Sequence, residues 1–310
     1  MNPIDESWRL VAKQGALGRR AMMIRVIRRF FCDRDYLEVE TPIRIPAPAP
    51  EEHIDATPSS NWFLQPSPEL CMKRLVAAGY PKIFQISKCF RTGERGYLHL
   101  PEFTMLEWYC RGGNCETLMQ ECEELVTFIA QVLDGADMLA YQGITIALQP
   151  PWERISVTDA FARYASLSIH EALGKDCFDE MMACRIEPCL EGDHPVFLYD
   201  FPLAHGALAR AKITDPELVE RFELYMGGLE LANAFLELAD EKEQRLRFEK
   251  AQRIRQAAGK AVYPMPEPFL RSLHQMPEAA GIALGVDRLA MLFTDSASID
   301  EIVAMTPEML

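Results

Sequence analysis

No apolar run in these 310 residues approaches the roughly 20 residues that a membrane-crossing helix needs, which argues against a helical anchor within the sequence. The opening MNPIDESWRL lacks the basic and apolar regions of a secretory signal, so a cytoplasmic protein is expected. Nine cysteines are present, but their spacings (Cys110, Cys115, Cys122 and Cys177, Cys184, Cys189) contain no CxxC pair. That pattern argues against zinc and for reduced, packed thiols. Positive charge is also scarce: 32 Lys and Arg against 46 Asp and Glu leave a net charge of -14. A broad nucleic-acid-binding face is excluded on that balance.

What is present suffices for one folded unit. With 49% hydrophobic content the chain is expected to form a single domain over 1–310. The few basic residues concentrate early: Arg9, Lys13, Arg19, Arg20, Arg25, Arg28, Arg29 and Arg34 stand against a single Asp33. A helix over Ala16–Asp33 would align Ile24, Ile27 and Phe31 as an apolar stripe, with Arg25, Arg28 and Arg29 beside it. The basic row reads either as a solvated face or as a dock for an acidic partner.

Beyond that helix, YLEVETPIRI alternates like a strand, and the Pro-rich stretch after it reads as an ordered connection to a second strand, Trp62–Gln65. SPELCMKRLVAAG predicts a helix over 68–78, with Ser67 as N-cap, Pro68 at its first position and Gly79 past its end. Ile83–Arg91 and Pro101–Tyr109 read as a long hairpin around a loop containing Gly93 and Gly96. On its return strand the period of two puts Phe103, Met105, Glu107 and Tyr109 on one face, which suits a ligand that is part flat ring and part cation. Amphipathic helices are expected over 114–134 (Leu118, Cys122, Leu125, Ile129, Val132) and 156–165, and a buried strand at VFLYDFP. Residues 166–194 are weakly patterned and read as an insertion.

RFELYMGGLELANAFLEL predicts a hairpin turning on Gly227 and Gly228. Tyr225 would then face Glu230, with Glu223 diagonal to Glu230 on the same face. Two such carboxylates invite a divalent cation or a metal-bound polyphosphate, unless they form an exposed acidic face. Asn233, Phe235 and Glu237 have the opposite parity, so a bulge near Ala232 is needed to aim all of them at one pocket. A helix from 229 would also gather Glu230, Asn233 and Glu237, but the bulged strand is preferred. A polar helix should follow over 240–258. In GIALGVDRLAMLFT a strand runs into a helix near Asp287, and Arg288 lies in its first turn, where a cation is disfavoured unless an anion binds there.

Taken together, in order and spacing across essentially the whole chain, three segments resemble the signature motifs of class II aminoacyl-tRNA synthetases. EVETP and its preceding helix (about 17–42, ending at Pro42) resemble motif 1, FRTGERG to PEFTMLEWY (about 83–109) motif 2, and GIALGVDRL (about 281–294) motif 3. SPELCMKRL and the segment from Glu230 to Leu238 are similar to the lysine-specific subgroup. The resemblance implies an α+β fold, an antiparallel sheet flanked by helices, and a homodimer formed through motif 1. It implies ATP as substrate, with Arg91 and Arg288 on its phosphates, Phe103 and Arg288 around the adenine, and His99 at the outer phosphates. Glu223 and Glu230 match the magnesium-binding acids. Ser67 and Glu69 would lie at an amino group near the substrate's carboxylate, while Glu107, Tyr109, Asn233, Phe235 and Glu237 would receive a distal ammonium.

Two departures refine the resemblance. Lysine enzymes have Glu two residues after the motif 2 Arg; here Gly93 stands there, and Glu94 follows as the ATP-binding candidate. Only about 20 residues precede motif 1, where lysine enzymes carry an anticodon-reading domain, so no tRNA is expected as partner. A core without that domain resembles the elongation factor P (R)-β-lysine ligase family. That implies (R)-β-lysine as the amino acid and a lysine side chain of elongation factor P as acceptor. Ala283, at the second Gly of the lysine enzymes' GxGxGxDR, fits: its methyl would trim the space beside an α-amino group, biasing choice by about 1 to 3 kcal/mol. An α-lysine-adenylating relative with another acceptor and a non-catalytic amino-acid-binding scaffold remain as alternatives. The pairs of arginines and acids argue against the scaffold.

Overall fold

The computed structural model describes residues 7–310. The first residues of the opening read for a targeting signal, and that end of the expected 1–310 domain, lie outside the described residues. One large sheet organises the described chain. Its strands are β1 (Leu37–Glu38), β2 (Lys82–Phe90), β3 (Glu102–Arg111), β4 (Glu153–Ser156), β5 (Val196–Pro202), β6 (Asp215–Met226), β7 (Leu229–Leu236) and β8 (Ala279–Gly285). They lie in the order β1-β2-β3-β8-β7-β6-β5-β4, and Ala211–Lys212 pairs with β6. The six central strands are antiparallel, whereas β1 with β2 and β4 with β5 are parallel, so the α+β sheet is mixed at its margins.

Alternation along β2 and β3 decides what each face of the sheet meets. Phe84, Leu106 and Trp108 point into a core with Phe30 and Phe31 of α1 (Gln14–Cys32), and all five are fully buried. Phe31 stacks on Phe84 at 4.9 Å between ring centroids. Burying side chains of this size stabilises by roughly 1.5 to 3 kcal/mol each, which fixes α1 on the sheet. Beside α1 on this face run α3 (Cys115–Asp134) and α6 (Val286–Thr294). Asn114 caps α3 by accepting Thr117 N at 2.9 Å, and Gly135, at φ 63°, ends it. Val132, expected in its apolar stripe, is exposed instead. The opposite face carries α2 (Glu69–Ala77), α5 (Glu241–Ala257) and the short helix Glu267–Ser272.

Two expectations are corrected. YLEVETPIRI makes only β1 and the two-residue strand Arg44–Ile45. Pro42 lacks a ladder donor, and Thr41 N gives its hydrogen to the Gln85 side chain at 3.1 Å rather than to a neighbouring strand. Residues 166–194 are more structured than their weak pattern suggested. Ile169–Gly174, Phe178–Met181 and the helical turns to Leu190 pack with Phe161, Val196 and Leu198 into a second core.

The hairpin β6–β7 forms as expected, turning on Gly227 and Gly228 at φ 57° and 77°, which glycine adopts without strain. Tyr225 opposes Glu230, Leu224 opposes Ala232, and Leu231 is left over as a bulge.

Candidate active site

The bulge places two rows of residues across the sheet on the face away from the aromatic core. In one row Glu107 of β3 pairs with Ala283 of β8, Ala283 with Asn233 of β7, and Asn233 with Glu223 of β6. In the next, Tyr109 pairs with Gly281, Gly281 with Phe235, and Phe235 with Arg221. These rows floor a cavity of about 160 Å³, walled by Ser67 and Glu69 of the α2 entry, Glu51 and Ile54, and the loop Gly206–Leu208. Arg91 and Met105 also line this cavity. Gly281 is obligatory here: a Cβ would sit 2.3 Å from Tyr109 Cε1 and 2.5 Å from Glu237 Oε1.

The electrostatics of this cavity are those of a cation receptor. Glu107 is 1% exposed, accepting Ser67 Oγ–H at 2.5 Å and Tyr109 O–H at 2.9 Å. Burial, with Glu69 adding to it, pushes Glu107 up to about 8 against the pull of those bonds and Lys73. Burial likewise raises Glu237 to about 8 and Glu51 to about 7. Buried carboxylates that resist ionisation are stabilised by a bound ammonium. Ser67 also accepts Glu69 N at 3.0 Å, so one hydroxyl serves both the helix entry and the pocket. Glu237 lies past the end of β7, its carboxylate over Gly281, and is not among the cavity-lining side chains.

Sequence reasoning missed three charged residues here. Lys73, one turn after Glu69, is 2% exposed and ion-paired with both Glu69 and Glu237. The spacing of Glu69 and Lys73 on one helix could have signalled it. Arg221 donates to Asn233 Oδ1 at 3.2 Å and pairs with Glu223. Glu51 sits in the Pro-rich connection, pinned by buried Arg255, which donates to the Glu51 carbonyl at 2.8 Å. Arg255 and the connection are far apart in sequence, so no local pattern joins them.

Arg91 lies 5.0 Å from the Phe103 ring and 3.8 Å from Glu94, which brings these three candidates together. Arg288 donates to the Glu230 carbonyl at 2.6 Å, pairs with its carboxylate at 3.2 Å, and meets His99 Nε2 at 2.6 Å. Burial, then the Arg288 charge, holds His99 below its usual range, which keeps the ring neutral. The side-chain bonds of Arg288 run to these groups and the Leu98 carbonyl, while Phe103 is faced by Arg91. Behind Arg288, Asp287 accepts Thr104 N at 2.7 Å and binds Arg20, tying motif 3 to motif 2 and α1.

Glu223 is 8% exposed, accepts Tyr225 O–H at 2.8 Å, and is raised to about 7 by burial, with Arg221 opposing and Glu230 adding. Glu187, from the helical segment after Phe178, is raised by burial and by Glu230. Crowded hard-oxygen donors of this kind suit a divalent cation. Among the described residues no group of three or more His, Cys, Asp or Glu side chains is placed to hold a metal ion, so an ion on Glu223 and Glu230 would take most of its oxygens from a ligand or water.

A family model described as tRNA synthetases class II (D, K and N) matches residues 8–308. A Pectobacterium carotovorum protein named elongation factor P–(R)-β-lysine ligase is 39% identical, over 97% of this chain and 98% of its own. Its namesake in Edwardsiella ictaluri is 37% identical over 97% of both. A lysine–tRNA ligase of Anaeromyxobacter is 37% identical over 93% of this chain and 64% of its own.

Proposed function

The chain belongs to the class II tRNA synthetase family, and on that premise we propose that it is an ATP-dependent ligase that adenylates (R)-β-lysine and transfers it to a lysine side chain of elongation factor P. The observation that carries this reading is Ala283, in register between Glu107 and Asn233 on the floor of an acid-walled cavity. A diammonium substrate matches the carboxylates, and the methyl at Ala283 favours an amine on the β carbon over one on the α carbon.

In the first half-reaction the substrate carboxylate attacks the α-phosphorus of ATP in line and pyrophosphate leaves. Arg91 and Arg288 stabilise the charge that develops on the phosphoryl oxygens. Phe103 supplies a face for the adenine, and neutral His99 can donate or accept at the outer phosphates. Glu223 and Glu230 would hold Mg²⁺, which supplies charge neutralisation to the polyphosphate. In the second half-reaction the acceptor's neutral ε-amine attacks the adenylate carbonyl, AMP departs, and an amide forms. Glu51 and Ile54 wall the cavity and would limit access of water that would hydrolyse the adenylate.

A second copy would pair on the motif 1 segment, where Met22, Leu37 and Ile43 are exposed. No described helix is long and apolar enough to cross a membrane; a cytoplasmic enzyme acting on a translation factor, without tRNA, fits the reading. The test is ATP–pyrophosphate exchange with (R)-β-lysine and α-lysine side by side, followed by transfer to elongation factor P. Preference for (R)-β-lysine and a modified acceptor are expected; no exchange with either amino acid would overturn adenylation. The similarity to a lysine–tRNA ligase favours a second reading, activation of α-lysine for another acceptor, which preference for α-lysine would select.

A further inference from the structure

At the closed end of the cavity the protein carries an ammonium of its own. The Lys73 side chain is 2% exposed, and its Nζ stands 2.5 Å from Glu237 Oε2, pairs with Glu69, and lies 4.8 Å from the centre of the Phe235 ring. Glu69 and Phe235 line the cavity, so Lys73 contacts two of the groups a substrate amine would meet. Apart from Lys73, neither buried oxygen of Glu237 has a hydrogen-bond partner. A buried carboxylate held only by charge depends on that charge.

We infer that Lys73 is a positioning residue whose ammonium clamps Glu69 and Glu237 together and favours ionisation of this buried carboxylate cluster when a cationic substrate enters. The groups facing the cluster are Glu107 and Tyr109 from β3, Glu51 from the Pro-rich connection, and Arg91 and Arg221. Arg91 is also paired with Glu94 and Arg221 with Glu223, which leaves Lys73 as the cation held within the cluster of Glu51, Glu69, Glu107 and Glu237. A substrate with two ammonium groups brings the positive charge that this acidic cluster lacks. Without Lys73 the excess of carboxylates is larger, and the cluster relieves it by retaining a proton, which removes the charge a substrate amine needs. Lys73 touches no reacting atom; it acts through Glu69 and Glu237.

The inference rests on the proposed adenylation, and its experiment separates the two. In Lys73→Met, the KM for the amino acid in ATP–pyrophosphate exchange should rise about tenfold or more at pH 7.5 and recover towards wild type by about pH 9.5. The KM for ATP and kcat should stay within about threefold. Lys73→Met/Glu237→Gln, which removes one charge of each sign, should bring the pH dependence of that KM back towards the wild-type profile, with KM itself still raised by the loss of the Glu237 carboxylate. Lys73→Arg should keep a wild-type-like pH profile. A KM that is unchanged, or raised equally at every pH, would overturn the role. NMR titration of isotope-labelled glutamate carboxyls, assigned by difference with Glu237→Gln, needs no substrate. Titration at a higher pH in Lys73→Met than in wild type is expected, and coincident titrations would sink the inference even if the wild type activated neither amino acid.

Discussion

Arg95 holds Glu308 by two hydrogen bonds, 2.8 Å from Nε and 3.0 Å from its terminal nitrogen, so the last helical turn, Pro307–Met309, grips the loop between Arg91 and His99. Arg95 also donates to Asp300 at 2.8 Å, and Ile299 N donates to the Tyr97 carbonyl at 2.8 Å. Bidentate arginine pairing fixes geometry as well as charge. In Glu308→Ala the KM for ATP should rise about three- to tenfold while the KM for the amino acid holds, because the loop loses its anchor and the cavity does not. Steady-state kinetics with each substrate varied checks this split. Melting should move little, since exposed ion pairs contribute about 0 to 1 kcal/mol.

The raised carboxylates make stability fall as pH rises. Glu107 and Glu237 titrate at about 8 and Glu51 and Glu223 at about 7 in the folded protein, against 4.5 ordinarily. Between about 4.5 and 8 the folded state therefore holds protons that the unfolded chain has released, and unfolding free energy decreases with pH across that window. Glu308, lowered to about 2 by Arg95, acts in the opposite sense below about 4.5, where its contribution is lost as pH falls. Thermal melts of the ligand-free protein should peak on the acid side of neutral and drop by about 5 °C or more by pH 8.5. Glu107→Gln should flatten part of the drop.

Ala283→Gly should move the ratio of kcat/KM for (R)-β-lysine over α-lysine towards α-lysine by about 10- to 200-fold, the effect of one methyl in a fitted pocket. Competition of the two amino acids in pyrophosphate exchange measures it directly.

Gly281→Ala should be far more damaging than Ala283→Gly. Its Cβ meets Tyr109 and Glu237 within 2.5 Å, and both are held between neighbouring elements. Overpacking of this kind costs about 1 to 3 kcal/mol, so a lower melting temperature and loss of amino-acid binding by calorimetry are expected.

Arg25, Arg28 and Arg29 are exposed on α1, with Arg28 paired to Glu38 at 2.8 Å and Arg29 4.0 Å from Asp33. Reversing all three charges should leave pyrophosphate exchange intact and cut transfer to elongation factor P about tenfold or more, with a salt dependence that disappears along with the charges. Unchanged transfer would return this row to a solvated face. A change in molecular mass would assign it to self-pairing.

The sheet strands that build the site were legible because their residues repeat with period two and their turns carry glycine where the backbone needs it. The bulge, too, could be read, since Glu230 and Asn233 reach one face only if a residue is left over. Glu38 to Arg44 misled because alternation survives where a proline and a side-chain acceptor have already ended the ladder. Lys73 was overlooked because a lysine beside an arginine on a short helix looks like surface, and only the fold brings Glu237 against it. The segment 166–194 concealed its helices in pieces too short to show a period.

The leftover Leu231 has a mechanical meaning. Glu230, held by Arg288, and Asn233, on the cavity floor, belong to one strand and are three residues apart. On the proposed reading, the separation between nucleotide and amino acid is therefore set by covalent geometry rather than by how two lobes happen to dock. Deleting one residue there would turn half the strand over and send its pocket groups into the aromatic core. The two substrates share a ruler, and its length is written into the chain.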